Sequence, residues 1–183
     1  MCDLDRIGWL IAGAAAGTLA AIVLCAIAAI AAGTFYGALG NGALMIAASV
    51  AIGLALVSVN VAIQSLGPCV AGACRVLADQ LLNALIAAGI ALTVLLAALI
   101  LGIFAASIPW AGTAVAIGLG LGAAALAISF LVIGSKLGDL GVCRSTPPTL
   151  GTRAGTGLAI AAGVLLMLAV LTATGGVLLG PAG

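Results

Sequence analysis

Polar and apolar positions divide this chain sharply. Charges occur only at positions 3–6, 75–79 and 136–153, and residues 7–66 and 81–135 carry none. A bilayer core about 30 Å thick is crossed by roughly 20 apolar residues in helical conformation. Each uncharged run is therefore too long for one crossing and fits a hairpin of two. Residues 33–42 contain four glycines and an Asn-Gly pair, which turn a chain easily and divide the first run. Pro109 disfavours helix at Ile108 and divides the second. A last apolar stretch follows Arg153. The pattern predicts an all-α, polytopic membrane protein: one bundle of five transmembrane helices over residues 7–32, 43–66, 81–107, 111–133 and 157–179.

With alternating crossings, all three charged clusters fall on one side. That side holds all five Lys/Arg of the chain, and the opposite turns and the C-terminus hold none. The positive-inside rule then predicts a cytoplasmic N-terminus and cysteine-bearing loops, with the C-terminus outside, in the inner or plasma membrane of a prokaryote. Trp9 at the charged border, with Tyr36 and Trp110 at the other, matches the interfacial belts where aromatic residues gather. The first apolar run far exceeds a signal-peptide core, and two Asp outnumber one Arg before it, so it reads as the first membrane helix.

Composition narrows the function classes. Hydrophobic residues make up 66% of the chain and charged residues 5%, against about 25% charged in soluble domains. A net charge of +1 without a Lys/Arg cluster gives no footprint for nucleic acid. Histidine is absent, which removes the usual haem ligand and the common proton shuttle. Neither a nucleophile–base set nor a carboxylate pair can form within the apolar runs, so the chain is not expected to be an enzyme. Alanine and glycine dominate instead, and small residues let helices approach closely in lipid. Gly118 and Gly122 open a smooth face on the fourth helix, and Gly13/Gly17 and Gly134/Gly138 form G-x-x-x-G pairs.

A weak tandem repeat is visible. Gly72-Ala73-Cys74-Arg75 recurs as Gly141-Val142-Cys143-Arg144, 69 residues later, and Gly33/Phe35 and Gly53 match Gly102/Phe104 and Gly122 at the same offset. Each unit would be one hairpin with its polar tail, leaving the fifth helix outside the repeat.

Two residue sets carry candidate chemistry. Cys2, Cys69, Cys74 and Cys143 all fall on the charged side, while Cys25 lies within a helix. The four have three readings: unlinked small apolar residues, thiolate ligands of a soft metal ion, or, in an oxidising compartment, disulfides pairing Cys69 with Cys74 and Cys2 with Cys143. No other cofactor is implied. Asn60 and Gln64 on the second helix, and Gln80 and Asn83 on the third, flank the short cysteine loop. They are expected to face one another, either as interhelical hydrogen bonds or as a polar notch for an ion or solute.

The function expected is that of a small integral membrane protein serving as an accessory or structural subunit, with lipid and with copies of itself or other membrane subunits as partners. The alternatives are a small-solute or ion channel or permease, and a thiol-based carrier of a soft metal ion.

Overall fold

The computed structural model describes residues 3–31, 37–69, 72, 74–104, 111–144 and 147–178. Among them it is almost entirely helical, without a strand. The elements are α1 (Leu4–Ala31), α2 (Gly37–Leu66) with a 3₁₀ turn at Gly67–Cys69, α3 (Arg75–Phe104), α4 (Ala111–Arg144) and α5 (Leu150–Leu178). All five helices are long and apolar enough to cross a membrane, as an integral membrane protein requires. Large apolar side chains also point outward on every helix, among them Val23, Leu54, Ile90, Leu121 and Leu171. Helices apolar on all sides have lipid, not water, as their solvent.

Four helix ends depart from the sequence expectation by six residues or more, one of them the start of α3 at Arg75 and not 81. Helix α2 starts at Gly37, inside the predicted glycine turn. Glycine costs a helix about 1 kcal/mol, but an unpaired backbone group in lipid costs several, so the helical ladder wins. Helix α4 runs past the predicted end at 133 to Arg144. Its 34 residues span about 51 Å, beyond a bilayer of about 40–45 Å with headgroups, so its charged last turns stand clear of the hydrocarbon. Helix α5 begins at Leu150, not 157, because Thr149 caps it. Apolarity marks the hydrocarbon-embedded part of a helix, whereas caps set where the helix stops. The turn around Pro109, with Tyr36 and Trp110, lies outside the described residues.

The helices form a closed ring. Each packs on the next in sequence, and α5 returns to pack on α1; α2–α3 is the least extensive of these seams, and α1 barely touches α4. Chain neighbours are antiparallel. Gly17 of α1 faces Ala51 and Ala55 of α2, Gly122 of α4 faces Leu95 and Ala91 of α3, and Gly134 of α4 faces Thr156 and Ile160 of α5. A ring with an odd number of alternating helices must contain one parallel pair, and here it is α1–α5, where Gly8 lies against Gly151 and Gly155.

The interior differs between its two halves. Near the charged end it is filled by large, fully buried side chains, including Ile7, Leu66, Leu81, Phe130, Leu137 and Leu140. In the other half, residues of all five helices surround an apolar cavity of about 450 Å³.

Candidate functional site: the disulfide-bonded polar end

The charged residues gather at one end of the ring because the helix directions alternate. Asp3, Asp5 and Arg6 open α1, Arg75 and Asp79 open α3, Arg153 lies in the first turns of α5, and Lys136, Asp139 and Arg144 close α4. Arg75 pairs with Asp79 at 3.7 Å and Lys136 with Asp139 at 3.9 Å. Both pairs are open to solvent, Lys136 the least so, and contribute little stability.

Disulfide bonding organises this end. Cys74, at the start of α3, is bonded to Cys143, in the last turn of α4. Cys69 is disulfide-bonded as well, and Cys2 lies outside the described residues. The pairing read from the sequence, Cys69 with Cys74 and Cys2 with Cys143, is therefore corrected. The reason is geometric: α3 and α4 are packed antiparallel neighbours, so the start of one meets the end of the other, while Cys69 belongs to the 3₁₀ turn that ends α2. The two bonded cysteines are the ones matched at the 69-residue offset. The matched segments nevertheless differ in backbone, since Gly72 has a φ of +116°, open to glycine, whereas Gly141 is helical. Bonded in this way, the sulfurs of Cys69, Cys74 and Cys143 offer no thiolate to a soft metal. Cys25 is the free cysteine among the described residues.

Two further bonds tie the helix ends together. The Arg144 guanidinium donates to the Cys69 carbonyl at 2.7 Å, holding the 3₁₀ turn against the end of α4. The Asp5 carboxylate accepts the Gly151 backbone N–H at 2.8 Å, so α1 supplies a cap to the N-terminus of α5. Thr149 completes that cap from within, its hydroxyl accepting the Thr152 N–H at 3.3 Å. A carboxylate at a helix N-terminus satisfies an orphan donor and meets the positive end of the macrodipole. Replacing Asp5 with Ala is expected to remove about 1–2 kcal/mol of stability, read as a lowered unfolding temperature in mild detergent. An unchanged melt would mean that Thr149 alone suffices. No motif announced this contact, because the partners lie 146 positions apart.

Gln80 and Asn83 border a shallow crevice of about 340 Å³ between α3 and α4, beside Ser129 and Lys136. Asn60 and Gln64 are exposed on α2 and do not border it, and the Asn60 side chain donates to the Leu56 carbonyl of its own helix. Hydroxyls behave in the same way. Thr18 donates to Ala14 O, Ser58 to Leu54 O, Thr93 to Gly89 O and Ser129 to Ala125 O. Side chains satisfied one turn back along their own helix need no partner across the ring.

The glycine faces, by contrast, meet other helices. A methyl group at Gly122 would lie 2.9 Å from Leu95 Cγ, and one at Gly118 would lie 3.3 Å from Ala98 Cβ. Gly134 and Gly163 meet the opposite sides of the α4–α5 seam. These stripes are thus occupied within the chain itself. Gly8, Gly151 and Gly155, which form the tightest contact, are not among the glycines singled out above, although Gly151 and Gly155 form a further G-x-x-x-G pair.

No protein-family model matches the chain, and no curated protein or solved structure is significantly similar to it.

Proposed function

We propose that the chain is a structural or accessory subunit of a membrane assembly, and that its polar end is held rigid for that role. The observation that carries this reading is the solid interior at the charged end. Phe130, Leu137, Leu140, Leu66 and Leu81 fill the ring there, and among the described residues every ionisable side chain other than the Cys25 thiol lies at that end. Permeation pathways usually carry ionisable residues or broken helices along the membrane, and among the described residues the five helices are continuous and no ionisable side chain but the Cys25 thiol lies away from the charged end. The glycine stripes no longer argue for partners, because the chain's own helices cover them. What remains for a partner is the polar end, together with the outward faces of the helices.

We further propose that the polar end faces an oxidising compartment. Disulfides persist there and are reduced in most cytosols. This reverses the orientation that the Lys/Arg bias alone gives. The disulfides outweigh the charge bias because a disulfide bond persists only where the compartment is oxidising, whereas the Lys/Arg rule is a statistical preference.

Native mass spectrometry from mild detergent tests the subunit reading. Copies of the chain, or different membrane proteins, should leave the membrane with it, and liposomes containing only this protein should show no solute or ion flux. A stable monomer that conducts unaided would overturn the proposal.

A further inference from the structure

The cavity in the half of the ring away from the disulfides has a shape and chemistry of its own. It lies within the apolar spans, at the level of Thr18–Cys25 on α1, Ile52 on α2, Leu95–Leu99 on α3 and Leu166–Val170 on α5. Its deep wall is buried, including Ala21, Ile52, Leu95 and Leu166. Ala116 and Gly120 of α4 and Ala169 of α5 are its exposed lining residues, which places its mouth on the α4–α5 side. Those residues are small, and a side chain at Gly120 would meet nothing within 4 Å.

We propose that this cavity holds one hydrocarbon chain of a membrane lipid, drawn from the leaflet on the uncharged side and entering past Ala116, Gly120 and Ala169. Three observations select that occupant. Water is excluded by chemistry: the lining offers the Thr18 hydroxyl, already donated to Ala14 O, and the Cys25 thiol, whereas an ordered water needs two to four polar partners. A protein helix is excluded by size: at about 10 Å across, it would fill 450 Å³ within roughly one turn. A hydrocarbon chain has no polar demand, and lipid chains are the medium at this depth. The volume also falls within the range of about 300–1,000 Å³ typical of small-molecule sites. An occupying chain restores the dispersion contacts that an empty cavity would forfeit.

The test uses the full chain in nanodiscs of a single synthetic phosphatidylcholine, released into a native mass spectrometer. The wild type should retain one lipid at activation energies that strip the surrounding ones. Ala123→Phe and Gly120→Leu, which fill the cavity from α4, should retain at least tenfold less, while Gly157→Leu, whose position faces open space, should match the wild type. Should the filled variants fail to fold, the wild type alone decides. Dodecyl methanethiosulfonate should attach its chain to Cys25 through a mixed disulfide, releasing methanesulfinate, and displace the retained lipid. Equal retention in wild type and filled variants, no retained lipid in the wild type, retention of a free fatty acid instead of the phosphatidylcholine, or retention undiminished after Cys25 is alkylthiolated would each overturn the proposal.

Discussion

Replacing Gly8 or Gly155 with Leu should open the ring and leave little folded protein. These glycines form the α1–α5 seam, where backbone meets backbone. A methyl group at Gly155 would lie 2.6 Å from the Gly8 carbonyl oxygen and 2.8 Å from Leu137 Cδ2, and one at Gly8 would overlap the Gly151 carbonyl group. A flexible side chain can swing aside, but a helix backbone can yield only by moving the whole helix. Overpacking an ordinary core costs about 1–3 kcal/mol, and a backbone clash belongs at or above the top of that range. The location adds to the effect. Every other seam joins helices consecutive in the chain, so a loosened contact there is still held by a connection. The parallel seam joins the first helix to the last, and among the described residues packing and the Asp5–Gly151 hydrogen bond hold it. Size-exclusion profiles and thermal melts in mild detergent would read the result. Gly157→Leu, which points into open space, should behave like the wild type. Gly8→Leu and Gly155→Leu proteins that melt at the wild-type temperature would show that the seam tolerates separation and that the ring is not a closed unit.

How much of this was legible in the sequence depends on whether the signal was local. The five helices follow from uninterrupted apolarity, which any stretch reports by itself. The gathering of charge at one end follows equally directly, once crossings alternate. Helix ends were harder: Lys136 and Asp139 look like loop residues, yet they sit on the last turns of α4 because that helix outruns the bilayer. Closure of the ring was not legible at all. It depends on Gly8 meeting Gly151, and on Asp5 reaching the same residue, contacts between opposite ends of the chain that leave no periodic trace. Cysteine pairing failed for a related reason. Cys69 and Cys74 are close in sequence, but Cys74 and Cys143 are brought together by antiparallel packing of α3 on α4. Of the amides, Asn60 finds its acceptor within α2, an outcome that spacing along the chain does not distinguish from a bond between helices.

Cells expressing a Cys25→Ser background should be labelled from outside by a membrane-impermeant maleimide only after treatment with an impermeant reductant, and the label should map to the disulfide-bonded cysteines of the polar end, Cys74 and Cys143 together with Cys69. Before reduction the Cys74 and Cys143 sulfurs are held in their mutual bond, and after it both stand at the polar end, beyond the hydrocarbon. The expected signal is all or none, which suits a choice between two opposite orientations. Opening Cys74–Cys143 should also weaken the fold. The bond closes a separation of 69 residues, and for a free chain the entropy lost on such closure corresponds to about 4 kcal/mol. That figure is a ceiling here, because helices already inserted in a bilayer are confined before they pack. A paired Cys74→Ser, Cys143→Ser variant should therefore lose less than about 4 kcal/mol. The loss should concentrate at the polar end, where Arg144 holds the Cys69 carbonyl and where faster backbone hydrogen exchange would appear first. Labelling that requires cells to be broken open, with or without reductant, would return the polar end to the cytoplasm, as the five Lys/Arg imply, and would sink the proposed orientation.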